Sequence, residues 1–364
     1  MTVRVPFEQA VLDVTGGNQR LLTTEYKPVG AVPVIDQGQA EVAGFTDDLS
    51  AVCRRDGPVI LFGDHTRTLK FVDFDFALGA DGVKVLKPLP GFDARFLFHF
   101  LRTVRLPENL GYSRHFKFLK ENSVPKPAQD VQRRIANILD KADSLRRKRQ
   151  EAIRLADEFL RAVFYEKFGD PVSNPHGLPT SRIDQLCAVA TGSTPARNRT
   201  DYYNGPHPWI KTGEVDTPLI TSAEEHISDT AIEETNCKLF PAGTLLIAMY
   251  GQGKTRGKVG MLGIPAATNQ ACAAILPSQK INEIFLYTQL SLMYEHLRSM
   301  GRGGNQENLN LGMIKALEVL VPPDHLVDEF LKVRQKVSEM RAKAFNSQAD
   351  TDAMSQTLAA KFFS

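Results

Sequence analysis

Residues 131–170 read VQRRIANILDKADSLRRKRQEAIRLADEFLRAVFYEKFGD. Val131, Ile135, Ile138, Ala142, Leu145, Arg149, Ala152, Ala156, Phe159 and Val163 follow one another in alternating steps of four and three. That is the spacing of one helix face, repeated as a heptad seam. Near the C-terminus, Leu326, Phe330, Val333, Val337, Met340, Ala344, Ser347, Thr351, Met354 and Leu358 repeat the pattern. Asp130 and Asp324 are candidate N-caps. Gly169, followed by Asp170-Pro171, is a stop signal for the first helix. At 1.5 Å per residue, Val131 to Phe168 would span about 57 Å. Arg149, Ser347 and Thr351 put polar groups into the seams, a device that fixes register at a cost in stability. The two helices are expected to pair antiparallel as a coiled-coil spacer.

The segments before the two helices resemble each other. Thr15-Gly16 recurs as Thr191-Gly192 and Tyr26 as Tyr202, both at an offset of 176. Val32-Pro33-Val34-Ile35-Asp36-Gln37-Gly38 recurs as His207-Pro208-Trp209-Ile210-Lys211-Thr212-Gly213, and Phe92–Phe98 as Ile281–Tyr287. Val124-Pro125-Lys126-Pro127 recurs near Val321-Pro322-Pro323. Matches kept in order with slowly drifting offsets are the mark of a duplicated unit. Val59–Phe62 and Thr244–Ala248 read as buried strands, and Phe92–Arg102 and Asn282–Arg298 as helices. The expected fold is α+β with an internal pseudo-twofold repeat. Two mixed globular domains, 1–125 and 171–322, alternate with a central helix, 126–170, and a C-terminal helix, 323–364.

Composition sets outer bounds. The chain has 364 residues, 42% hydrophobic and 24% charged, which is ordinary for a globular protein of two domains. Four dispersed cysteines, Cys53, Cys187, Cys237 and Cys272, have no metal-ligand spacing and make no disulfide framework. No stretch reads as a signal peptide or a membrane span, so a cytoplasmic location is expected. The net charge of +2 says little about nucleic acid. The cation excess lies in 126–170, around Arg146-Arg147-Lys148-Arg149, which reads equally well as a solvated helix face.

Catalytic motifs are missing. There is no G-x-S-x-G, no H-E-x-x-H and no methyltransferase-like Asn-Pro-Pro-Tyr. Ala248-Met249-Tyr250-Gly251-Gln252-Gly253-Lys254-Thr255 comes one residue short of a phosphate-binding loop, with Ala248 in place of the first glycine. Its sequel, Arg256-Gly257-Lys258-Val259-Gly260, does not read as a helix. A nucleotide-binding enzyme using this loop is one alternative, and a scaffold that binds proteins through both domains is another.

Several stretches carry a family resemblance. Val124–Pro127, Gln132–Asp143, Leu145-Arg146, Arg149-Gln150 and Phe168–Pro171 look like the central helical region of type I restriction-modification specificity subunits. Gly111–Lys120, Thr191–Pro195, Pro208-Trp209-Ile210 and Asn305–Asn310 are similar to recurrent features of that family's target-recognition domains. With the repeat, the resemblance covers nearly the whole chain. It implies a non-catalytic subunit in which each globular half reads one part of a split site in double-stranded DNA. The helices would hold the halves apart and dock two methyltransferase subunits, which bind S-adenosylmethionine. In a system that also cuts DNA, two motor-nuclease (restriction/translocase) subunits would bring ATP and Mg. No cofactor or metal is expected in this chain, and no membrane partner.

Reading DNA takes donors and acceptors at base edges and cations at phosphates. In the second half Tyr250, Gln252, Lys254, Arg256 and Lys258 supply both on one glycine-rich loop, with Gln252 suited to adenine, Arg256 or Lys254 to guanine, and Lys258 to phosphate. Lys211, Asn305, Gln306 and Asn308 join them. The first-half candidates are Arg67 and Lys70, then Tyr112, Arg114, His115 and Lys117. The candidates for the helix spacer and subunit interface are Val131, Ile135, Ile138, Leu145, Phe159, Val163, Phe330, Val333, Val337 and Met340.

Overall fold

The computed structural model describes residues 3–107, 114–251, 253–300 and 308–363, with the side chains of 345–353 and 355–356 left out. The chain forms two compact units. One comprises residues 1–152 and 343–364, the other residues 153–342.

In the first unit β1 (Arg4–Pro6), β2 (Val11–Asp13), β3 (Val32–Ile35), β4 (Gly44–Thr46), β5 (Val59–Gly63), β6 (Leu69–Val72), β7 (Ala77–Leu78) and β8 (Val83–Pro88) lead to α1 (Ala94–Thr103), α2 (Phe116–Lys120), β9 (Ser123–Pro125) and α3 (Gln129–Phe168). The strands make three sheets, ordered β2-β8-β5-β6, β4-β3-β7 and β1-β9. The second unit contains β10 (Thr180–Arg182), α4 (Ile183–Leu186), β11 (Val189–Thr191), β12 (Tyr203–Ile210), β13 (Leu219–Ile220), β14 (Glu225–Ile227) and α5 (Asp229–Glu234). It continues with β15 (Leu245–Ala248), β16 (Val259–Leu262), β17 (Ala267–Thr268), β18 (Cys272–Ile275), α6 (Glu283–Leu292), α7 (Tyr294–Met300), α8 (Leu311–Ala316), β19 (Glu318–Leu320) and α9 (Asp324–Phe363). Its sheets are β11-β18-β15-β16-β13, β14-β12-β17 and β10-β19.

The repeat is therefore structural. Strand for strand, the second unit copies the first and adds β13 beside β16, parallel to it. The apolar runs explain the central strands: every residue of β5 and of β15 is buried, as expected of strands covered on both faces. Helices α1 and α6 begin alike. The Asp93 carboxylate accepts from the N–H groups of Arg95 and Phe96, and the Asn282 amide oxygen from those of Ile284 and Phe285. These caps satisfy donors that helix geometry leaves open.

The long helices dock differently from a simple two-helix seam. In the second unit Phe164 and Phe168 of α3 meet Phe285 of α6 and Phe330 of α9, with ring centroids 5.0 to 5.8 Å apart for five of the pairs. Lys167 bonds Glu329 at 2.6 Å and Asp157 bonds Arg341 at 2.8 Å. Residue numbers rise on one helix as they fall on the other, so the pairing is antiparallel. In the first unit Ile135, Ala136 and Leu139 of α3 share a core with Phe96, Phe100 and Phe363. The expected seam is only partly the buried one. Ile135, Phe330 and Val337 are buried, Ile138, Val163 and Val333 are half-buried, and Val131, Leu145, Phe159 and Met340 are exposed. Between Ala142 and Phe164 no residue of α3 is fully buried. A heptad pattern assumes that each helix packs only on the other. Here each end packs on a globular unit as well, which selects a rotated stripe. Ser347 and Thr351 fall where side chains are not described.

Asp130 and Asp324 lie in the first helical turn rather than at the cap, where a carboxylate still complements the helix dipole. Gly169 ends α3 as expected, with φ +74° and its N–H on Tyr165 O at 2.9 Å.

Lys70 requires a correction. Its ammonium is not presented to solvent. It donates to Asp36 O at 2.8 Å and Ala40 O at 2.6 Å, and lies 3.8 Å from the Asp36 carboxylate. Burial pushes its pKa down, against the pull of Asp36 and Glu41. Lys70 holds the β3–β4 connection in shape.

Lys70→Ala leaves two carbonyls unsatisfied and should destabilise the first unit by about 2 kcal/mol. Chemical denaturation measures this, and a variant of wild-type stability would return Lys70 to the surface. Phe330→Ala removes the ring that three others pack on and should cost the second unit roughly 3 to 5 kcal/mol. A loss under about 1 kcal/mol would mean that the aromatic cluster does not anchor the helix.

Candidate nucleic-acid interface

In each unit the hairpin leaving the central strand meets the segment before a short helix. In the first unit the β5–β6 turn closes through Gly63 N–H on Thr68 O and Arg67 N–H on Gly63 O, each at 2.8 Å. The Thr66 hydroxyl donates to Gln37 O at 2.6 Å, tying the turn to the Asp36-Gln37-Gly38 bend. The buried Asp64 carboxylate accepts from Phe116 N–H at 2.7 Å, and Asp64 O accepts from His115 N–H at 2.8 Å. These bonds set Arg114 and Lys117, both exposed, beside the turn that carries Arg67. Arg67 sits at φ 62°, a left-handed conformation that costs a non-glycine residue about 1 kcal/mol and holds it at the exposed tip. The Lys117 ammonium lies 4.7 Å over the Phe118 ring. His115 is the second correction. It is buried, with its main chain tying α2 to the turn and its ring 6.4 Å from Phe118, so it does not face a ligand.

In the second unit the corresponding loop is longer. It leaves β15 at Met249 and returns to β16 after Lys258, with Gly257 N–H on Ala248 O at 2.8 Å and Lys258 N–H on Thr255 O at 3.0 Å. Gly257, at φ +84°, lies against Leu297 and Arg298, where a side chain would be both strained and crowded. Leu309 N–H donates to Met249 O at 3.1 Å, which brings the exposed Asn308 to the base of the loop. Tyr250 and Lys254 are exposed, while Arg256 and Lys258 are half-buried. Because β15 and β16 are an antiparallel hairpin, no helix follows the loop. The helix dipole that a phosphate-binding loop of the nucleotide-enzyme type needs is absent here.

Lys211 lies in an acidic setting. Glu224 and Glu225 hold its ammonium at 2.7 and 3.2 Å and raise its pKa through those hydrogen bonds. Next to it, the Arg197 guanidinium bonds Glu225 at 2.5 Å and lies 4.8 and 5.1 Å over the Tyr203 and Trp209 rings. This face of the second unit is internally neutralised, in contrast to the Met249–Lys258 loop. Tyr112, Gln252, Asn305 and Gln306 lie outside the described residues.

Sequence reasoning missed Tyr294 and Arg298 on α7, which grip the loop from beneath. Their spacing of four residues puts them on one helix face, but nothing in sequence links them to a loop some forty residues away. Among the described residues no cluster of ligating side chains could hold a metal. No described helix is long and apolar enough to cross a membrane.

Residues 175–329 match the family described as the type I restriction modification DNA specificity domain. The chain is 24% identical over 320 residues to the EcoR124I/EcoR124II specificity subunit of Escherichia coli, covering 82% of this chain and 77% of that one. It is 27% identical over 156 residues to the MjaIX specificity subunit of Methanocaldococcus jannaschii, covering 41% of this chain and 35% of that one. Its fold resembles the crystal structure of a type I restriction-modification S subunit from M. genitalium, with a TM-score of 0.65 and 14% identity over 100% of this chain and 96% of that one. A second structure, from work on complex assembly in a type I system, gives a TM-score of 0.55 and 15% identity over 99% and 96%. Residues 175–329 thus match a DNA specificity domain of type I restriction-modification systems, and the chain as a whole is similar in sequence and in its duplicated fold to the specificity subunits of such systems.

Proposed function

We propose that this subunit reads a bipartite site in double-stranded DNA, one half-site for each globular repeat. In this reading residues 1–125 and 171–322 are target-recognition domains, and the helices at 126–170 and 323–364 set the gap between half-sites. The observation that carries the proposal is the duplication itself: the same three sheets in the same strand order, each offering a hairpin loop beside a short helix. A rigid frame with a variable loop suits a surface that must be specific yet change its target. The contact residues in this reading are Arg67, Arg114 and Lys117 in the first domain, and Tyr250, Lys254, Arg256, Lys258 and Asn308 in the second. Cations supply affinity by neutralising phosphates, while amide and aromatic groups can reach base edges.

The exposed apolar side chains Val131, Leu145 and Phe159 of α3 and Met340 of α9 would be covered by two methyltransferase subunits, which bring S-adenosylmethionine. Motor-nuclease subunits, with ATP and Mg, would join in a system that also cuts.

Sequencing the methylome of cells that express this chain with its methyltransferase partner tests the division of labour. A methylated adenine motif of two short halves around a fixed unspecified gap is expected, and a single continuous motif would sink the two-domain assignment. Inserting one heptad into α3 within 143–160, where the helix is least packed, should lengthen the gap and leave both halves unchanged. An unchanged gap would refute the spacer role.

A further inference from the structure

The loop between β15 and β16 is held from one side by α7. The Arg298 guanidinium donates to Gly253 O at 2.7 Å, and the Tyr294 hydroxyl donates to Lys254 O at 2.6 Å. Arg298 also donates to the Tyr294 hydroxyl oxygen at 2.8 Å and lies 5.4 Å over that ring, so the two side chains brace each other. In a trans peptide the N–H points opposite to the carbonyl of the same plane. Turning the Gly253 and Lys254 carbonyls toward α7 therefore turns the N–H groups of Lys254 and Thr255 away from it. Among the described residues neither N–H has an acceptor.

The charged side chains of this loop are all of one sign. Lys254, Arg256 and Lys258 flank them, and the sequence from Met249 to Lys258 contains no carboxylate. Among the described residues none of the three cations forms an ion pair, unlike Lys211, Arg197 and Arg199 in the same unit. Among the described residues the Arg256 Nε, shielded from solvent, has no hydrogen-bond partner. Buried donors of this kind are normally satisfied, and an oxyanion would satisfy it. Consecutive main-chain N–H groups ringed by cations form an anion-binding concavity.

We propose that Gly253–Lys258 is a phosphate clamp. It takes a DNA phosphodiester through the Lys254 and Thr255 N–H groups and the side chains of Lys254, Arg256 and Lys258, with Tyr294 and Arg298 as positioning residues. The proposal rests on the DNA-reading function and refines it, because it assigns to the backbone Lys254 and Arg256, whose side chains the sequence alone suits to guanine edges. Phosphate contacts fix the register of a protein on the duplex and carry no sequence information of their own. Discrimination by the second domain then lies with other groups at the same face, while the clamp sets where they land.

The test uses the full chain assembled with its methyltransferase subunits and two readouts. One is the salt dependence of binding to a single fixed-sequence duplex. The other is the sequence preference selected from randomised duplexes. The double variant Lys254→Ala/Lys258→Ala should make the log–log salt slope shallower by about one unit for each phosphate it no longer neutralises. Affinity should fall by a similar factor on all sequences, with the selected motif unchanged. Tyr294→Phe, which removes no charge, should weaken binding several-fold at the wild-type slope and the wild-type melting temperature. An altered motif at an unaltered slope would make this a base-reading loop and overturn the clamp. Wild-type binding by the double variant would do the same, as would ATP competing with the duplex and ceasing to do so in Lys254→Ala. If the wild-type assembly binds no duplex at all, the DNA-reading function falls and the clamp falls with it.

Discussion

Burial of the ends of two long helices against globular domains is the constraint on which the rest depends. A helix the length of α3 or α9 has no core of its own, and its stability comes from the apolar stripe it can cover. In the second unit that stripe ends in Phe164, Phe168 and Phe330, interlocked with Phe285 from the domain helix. In the first it ends in Ile135, Ala136, Leu139 and Phe363, packed on Phe96 and Phe100 of the equivalent helix. Both anchors use the same element of the repeat, α1 in one unit and α6 in the other. The middle of α3 carries polar side chains and exposed apolar ones and buries none of them fully.

Upon this frame the two repeats diverge in the loops of their central hairpins. The central hairpin of the first unit is short and pinned by Thr66, Asp64 and the main chain of His115, so little more than Arg67 reaches the tip. That of the second is longer, rich in glycine and cation, and held through carbonyl oxygens by Tyr294 and Arg298. Strand β13 extends only the second sheet. Duplication has preserved the strand order, the helix caps and the aromatic anchor, while loop length and loop charge have drifted.

Charge is sorted by location. Among the described residues several cations are balanced nearby: Lys70 by carbonyls and Asp36, Lys211 by two glutamates, Arg197 by Glu225 and two aromatic faces. A net charge near zero is therefore compatible with a strongly cationic loop in a stretch whose sequence contains no carboxylate. Counting cations along the chain could not separate these cases, because an ion pair formed across many residues leaves no local sign.

Much of the architecture was legible beforehand. The duplicated unit followed from ordered matches such as Thr15-Gly16 with Thr191-Gly192, which keep their order along the chain. The long helices and the stop at Gly169 followed from periodicity and from the left-handed backbone that glycine permits. Local propensity and spacing carry information of that kind. Which stripe of each helix is buried, whether Lys70 and His115 face inward, and that Tyr294 and Arg298 hold a loop distant in sequence were decided by tertiary packing. Those outcomes depend on which surface arrives opposite a residue when the chain closes, and no spacing within a single segment encodes that.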